Sequence, residues 1–283
     1  MKKQNRTFLT RTLDLFGRGY SDAPADLPYD DRLYTTQIFL ALSSSPLPWT
    51  GTSAFHILGF SLGGAIAASF ATYHANMLRS ATLICPGGLV RPVHISWRSR
   101  LSYMQGGLMP EWLVQRLARK RLRPSSSHHT SVDIPDGAED ADVDFDAVPV
   151  AREAPGGPKV GEVVQWQFDG NDGFVPAYVS TIRNAPVYAQ HDALWALLAD
   201  ELAVRRKTEA DRPAGLETGR ICLIVAEKDP IVVAAECIED ARAVLGEAGV
   251  DAHIVKGGHE IGISRGKEIA NIAMESWTKF RKN

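Results

Sequence analysis

Gly59-Phe60-Ser61-Leu62-Gly63, followed by Gly64, is the sharpest chemical signal in this sequence. It fits the pattern G-x-S-x-G, in which a serine sits on a tight turn from a strand into a helix. Phe55-His56-Ile57-Leu58, just ahead of it, reads as a short apolar strand. After it, Ala65, Ile66, Ser69 and Phe70 recur at helical spacing. Such a turn lifts the Ser61 hydroxyl clear of a sheet. It also aims the Leu62 backbone N–H at the place where an oxyanion would form. The plainer alternative is a glycine-rich turn with an incidental serine, since a bare five-residue match is common by chance.

A serine hydroxyl is a weak nucleophile and needs a base that a third group holds in place. Where this turn is used, the chain order is serine, acid, histidine. Asp229 follows the apolar run Ile221-Cys222-Leu223-Ile224-Val225-Ala226, and His259 follows the run around Ile254, after Gly257-Gly258. Both thus fall at the carboxyl ends of expected strands, where open parallel sheets bind ligands. Taken singly, Asp229 is also a turn-forming Asp before Pro230 and His259 a turn histidine. Their order and common placement argue for a triad of Ser61, His259 and Asp229.

The elements that must position these groups alternate. Ala81 to Cys85 reads as a buried strand closed by Pro86-Gly87-Gly88, Val232 to Leu245 as a helix, and His253 to Val255 as a strand. The closing helix places Ile269, Ile272, Ala273 and Trp277 on one face. Strands alternating with helices predict an α/β fold with a mostly parallel sheet flanked by helices. Residues 90–215 differ in character. Pro110 opens an expected helix carrying Trp112, Leu113, Leu117 and Leu122 on one side, and helical patterning resumes from about Pro176 to Leu202. Between them, Asp133 to Asp146 holds six Asp and one Glu with no basic residue, so residues 124–162 read as a disordered acidic loop. Core segments at 1–89 and 216–283 with an insertion at 90–215 follow.

Composition excludes several classes. Hydrophobic residues are 45% and charged residues 23% of the 283, with a formal net charge of -2, which gives no electrostatic reason for nucleic acid or an anionic membrane as partner. No apolar run is long enough for a membrane span or a signal peptide, and a cytoplasmic location is the expectation. Cys85, Cys222 and Cys237 fit neither a disulfide framework nor a zinc site, and read as buried free thiols.

A family resemblance joins these pieces. Asp14-Leu15-Phe16-Gly17-Arg18-Gly19-Tyr20-Ser21-Asp22 resembles the D-x-x-G-x-G-x-S loop of the α/β-hydrolase superfamily, in its branch of serine esterases and C–C bond hydrolases. GFSLGG resembles its nucleophile elbow, AEKDPIV its acid loop and GGHE its histidine loop. The likeness covers about residues 8–90 and 216–283, and implies the α/β-hydrolase fold with residues 90–215 as a helical cap. It assigns Ser61 as nucleophile, His259 as general base and acid, Asp229 as the group orienting the histidine, and Leu62 N–H as an oxyanion donor. It implies no cofactor and no metal. Only about a dozen residues precede Asp14, whereas the resemblance implies further strands there and a His-Gly loop giving a second oxyanion donor. The expectation is a chain with N-terminal strands missing, which leaves a gap beside the strand that carries Ser61: either Thr7–Leu13 shifts to fill it, or the chain is a fragment or shortened gene product. Losing one oxyanion donor typically costs about 10²–10³ in kcat, so a weakly active or inactive chain is expected.

The expected activity is hydrolysis of an ester, thioester or activated carbonyl of a small apolar molecule. An inactive relative that binds in the same pocket, and a lyase or acyltransferase using the same triad, are the alternatives. Nothing in the sequence fixes an oligomeric state. His128-His129 lack spaced metal-ligand partners, His56 reads as a core histidine, and His74, His94, His191 and His253 have no motif around them. Arg116 to Arg123 read as a solvated basic face. Trp97, Tyr103, Trp112 and Trp166 are candidates for either a pocket wall or the core of the insertion.

Overall fold

A computed structural model describes residues 9–95, 109–123, 145–150, 156–207 and 213–279. His128, His129, Trp97, Tyr103 and most of the acidic stretch lie outside the described residues.

Ile221–Ala226 is apolar at every position rather than alternating, which suits a strand buried on both faces. It forms β3, and all six residues are buried. With β1 (Phe55–Phe60), β2 (Leu78–Ile84) and β4 (Val250–Val255) it makes a parallel sheet in the order β1-β2-β3-β4. Parallel neighbours need crossovers. Helix α1 (Asp31–Ser43) precedes the sheet and α2 (Leu62–Tyr73) links β1 to β2. The long β2–β3 crossover holds α3 (Glu111–Leu122), α4 (Val160–Gly170), α5 (Phe174–Asn184) and α6 (Leu194–Arg205). Helix α7 (Ala234–Leu245) links β3 to β4, and α8 (Ile261–Ser264) and α9 (Gly266–Lys279) close the chain. The main core lies between the sheet and its helices, with Phe70, Leu83, Trp195 and Leu223 at its centre. On α9, Ile269 and Ala273 are buried as the spacing predicts. No helix among the described residues is long and apolar enough to cross a membrane.

Two expectations inside the crossover need correction. Trp112 and Leu117 do not face inward: they are 65% and 43% exposed, and the buried stripe of α3 is Val114 and Ala118, one turn apart. That stripe packs on Phe168, Phe174 and Val179 of α4 and α5. Helical structure also resumes earlier than read, because α4 starts at Val160, inside the stretch taken as loop. Glu162 there accepts from the Lys159 N–H at 3.0 Å, satisfying one of the orphan donors at the helix start.

Among the described residues, β1 pairs with β2 alone. Leu9 to Leu15 do not fill the gap as a strand. Arg11 instead donates to the Ala41 carbonyl and to Ser44 Oγ, each at 2.7 Å, and so ties this segment to the end of α1. An open cavity of about 490 Å³ remains beside β1, walled by Leu9, Leu13, Trp49 and Leu58.

Leu223 sits at the centre of β3 and is fully buried. Truncation there removes packed atoms and leaves a void, so Leu223→Ala should lower unfolding free energy by about 2–5 kcal/mol. Urea denaturation followed by circular dichroism measures this.

Candidate active site

Ser61 stands between β1 and α2 with φ 52° and ψ -115°. This is a backbone region that L-residues adopt only under constraint. The constraint is visible in hydrogen bonds. Ser61 N–H donates to the Ile84 carbonyl at 2.9 Å, and the Ser61 carbonyl accepts from Gly64 N–H at 2.9 Å and Gly87 N–H at 3.1 Å. Two glycines permit the close approach. A Cβ on Gly59 would lie 2.0 Å from the Gly63 carbonyl oxygen, and one on Gly64 would lie 2.7 Å from Pro86 Cβ.

Asp229 and His259 arrive on the loops after β3 and β4. The turn after β3 is held to the end of β4 by Glu227 N–H on the Val255 carbonyl and Lys228 N–H on the Gly257 carbonyl, at 2.9 and 3.0 Å. Gly257, at φ 134°, lets the chain double back before His259. Asp229 Oδ1 accepts from the Ile231 and Val232 N–H groups at 2.8 and 2.9 Å. These fix the carboxylate plane and leave Oδ2 to face His259 Nδ1 at 2.7 Å. His259 Nε2 lies 2.9 Å from Ser61 Oγ. A carboxylate only accepts, so Nδ1 carries the proton and Nε2 is the lone pair facing the serine hydroxyl. Asp229 and His259 are 5% and 8% exposed, which shields this chain of bonds from water.

His259 is therefore within hydrogen-bonding reach of both other residues singled out in the sequence, Ser61 on one side and Asp229 on the other. Leu62 opens α2, where its N–H has no acceptor within the helix. With Ser61 and His259 it lines a cavity of about 310 Å³ whose wall is mostly apolar, including Val90, Phe174, Ile182 and Val187. Trp112 and Trp166 are not on that wall. Trp166 is 40% exposed and leans on Tyr20.

The remaining histidines among the described residues make ordinary contacts. His56 is bonded to Ser80 at 2.7 Å and stacked on Trp277. His94 pairs with Glu236, His191 with Asp240 and His253 with Asp251. His74 lies against Phe39 and Phe70, and burial lowers its pKa.

Two features had no clear signal in the sequence. Arg18, read only as part of a glycine loop, reaches the cavity. Cys85, read only as a buried thiol, lies beside the triad: its sulfur, one Asp229 oxygen and one His259 nitrogen fall within 4.8 Å of one another. This is a metal-type donor set, but the Asp229 and His259 atoms that face each other are already bonded at 2.7 Å. Burial, then the Asp229 charge and its hydrogen bond, push the Cys85 thiol far up. Burial and the same charge push Cys237 up to about 12.

These shifts have two measurable consequences. Cys85 and Cys237 should stay unreactive toward a disulfide reagent at pH 8 in the native protein and react on unfolding, as read by thiol release. Each raised pKa favours the folded state below the unfolded thiol's value and loses that contribution above it. Stability should therefore fall as pH rises past about 8.5 and continue falling toward the Cys237 value. Gly59→Ala forces its Cβ onto backbone and should cost at least about 1–3 kcal/mol, read by thermal unfolding.

No family model matches the sequence. A 51-residue stretch is 37% identical to the monoacylglycerol lipase abhd6-B of Xenopus laevis, covering 18% of this chain and only 15% of that protein. Among solved structures, a bacterial membrane phospholipase A aligns with TM-score 0.57 and 17% identity, over 95% of this chain and 70% of its own. A carboxylesterase of the thaumarchaeon Nitrososphaera gargenis aligns with TM-score 0.53 and 12% identity, over 95% and 79%. MenH from S. aureus aligns with TM-score 0.51 and 14% identity, over 96% and 83%. At such identities the likeness is one of architecture. With the parallel sheet and its flanking helices, it shows that this chain has the α/β-hydrolase fold.

Proposed function

We propose that the protein is a serine hydrolase that cleaves an ester, thioester or activated carbonyl of a small, largely apolar molecule. The observation that carries this reading is the unbroken run of contacts from Ser61 Oγ through His259 to Asp229. In the reaction, Ser61 Oγ attacks the substrate carbonyl carbon as His259 Nε2 takes the hydroxyl proton. The carbonyl π electrons move to oxygen, and the Leu62 N–H donates to that oxyanion. Collapse of the adduct expels the leaving group, which takes the proton from His259, and leaves an acyl-serine. Water then repeats the sequence with His259 as base, releasing the acid and restoring Ser61. Asp229 stays ionised and holds the imidazole in the reactive tautomer. The apolar wall at Val90, Phe174 and Ile182 suits an apolar acyl or leaving group.

The insertion at 90–215 acts in this reading as the cap that sets substrate choice. Leu122 of α3, Val164 of α4 and Tyr178 of α5 all reach the cavity. A second reading, a binding protein without turnover, draws on the outer edge of β1, which is unpaired among the described residues. That edge belongs to the strand that feeds Ser61, and slack there would loosen the turn.

Labelling by a fluorophosphonate separates the two. The native chain should label on Ser61, and Ser61→Ala should not. Asp229→Asn should cut ester turnover by about 10⁴, since the wrong tautomer then faces Ser61. A chain that stays unlabelled while folded would sink the hydrolase reading and leave the binding one.

A further inference from the structure

Arg18 sits between Gly17 and Gly19, at φ 75° and 56°. Those two residues turn the loop so that the guanidinium reaches the cavity holding Ser61 and His259. Arg18 Nη1 donates to the Tyr34 hydroxyl at 2.9 Å and the Phe16 carbonyl at 3.3 Å, and Nη2 donates to Thr181 Oγ1 at 3.3 Å. All three acceptors are neutral. A guanidinium has five N–H donors. Three are spent here, which leaves Nε–H and one Nη2–H.

Three other partly or fully buried arginines have carboxylate partners, while Arg79 and Arg206 bond backbone carbonyls and do not line this cavity. Arg91 pairs with Asp240, Arg183 with Glu111 and Arg205 with Glu201. Arg18 makes no ion pair among the described residues, including with Asp146, the one carboxylate on the same cavity wall. A half-buried charge with only neutral partners, in an apolar cavity, is costly unless a counter-charge arrives. Its two unspent donors also suit the paired oxygens of a carboxylate.

We infer that this cavity takes a ligand bearing a carboxylate, which Arg18 pairs while the reacting carbonyl lies at Ser61. The substrate class is then an ester, thioester or activated ketone with a free carboxylate at the end remote from the scissile bond. The reaction half of this statement rests on the serine-hydrolase reading. The anion half rests on Arg18 alone.

Hexanoate, hexanamide and hexylammonium, matched in length, test it by calorimetric titration into the full chain, into Arg18→Gln and into Arg18→Lys. Hexanoate should bind at least about tenfold more tightly than hexanamide, as expected for a charge-assisted pair in a partly dry site. That margin should vanish in Arg18→Gln and largely survive in Arg18→Lys, which keeps the charge but loses the fork that cross-links Tyr34 and Thr181. A merely structural arginine would show no rescue by lysine. Equal binding of hexanoate and hexanamide, tighter binding of hexylammonium, no hexanoate binding at millimolar levels, or a margin that persists in Arg18→Gln would each overturn the inference. Fluorophosphonate labelling of Ser61 reports on the reaction separately. A hexanoate preference without labelling keeps the anion site and rejects the hydrolase. Labelling without the preference does the reverse.

Discussion

The structure turns on one strained residue. Ser61 occupies a backbone conformation that costs of order 1–3 kcal/mol and persists only when its surroundings over-determine it. Here they do. The Ser61 N–H is held by β2 through Ile84, and its carbonyl by the first turn of α2 and by Gly87 after β2. Bringing α2 so close to β1 needs glycine at 59, and bringing it against the turn after β2 needs glycine at 64. The packing of a helix across two strands is thereby converted into the direction of one hydroxyl.

The rest of the site follows from sheet order. Because β2, β3 and β4 run parallel and side by side, the loops leaving their carboxyl ends emerge along one rim. Cys85 leaves β2, Asp229 follows β3 and His259 follows β4. The loop after β4 reaches back along this rim to bring His259 to Ser61, and Asp229, on the loop between, holds the histidine from its other ring nitrogen. The backbone N–H groups of Ile231 and Val232 fix which carboxylate oxygen does so. The geometry is as much a property of strand spacing as of the three side chains.

The strand ends were legible in the sequence because periodicity and glycine carry local information. Ile221–Ala226 is too uniformly apolar to be anything but buried, and Gly59-x-Ser61-x-Gly63 declares a turn. Ser61, Asp229 and His259 could thus be set in order from their neighbours alone. What was not legible depends on contacts distant in the chain. On α3, Trp112 looks more core-like than Ala118, yet Ala118 is the buried one, in a cluster with Phe174 and Val179 of α5. Arg18 gives no hint of its direction in the sequence, since that is set by Tyr34 on α1 and Thr181 on α5. Nor does the placing of residues 9–15 follow from their own pattern. It follows from Arg11 finding acceptors at the end of α1.

The pairing of β2 with β3 across a long crossover has a kinetic side. The His259–Asp229 contact spans 30 residues, whereas the His259–Ser61 contact spans 198. Loop-closure entropy rises with the logarithm of chain length, and folding slows as contacts become less local. Asp229 and His259 sit within one short α/β unit, whereas Ser61 meets His259 only when two distant stretches of chain dock, so the contact at Ser61 carries the larger loop-closure cost.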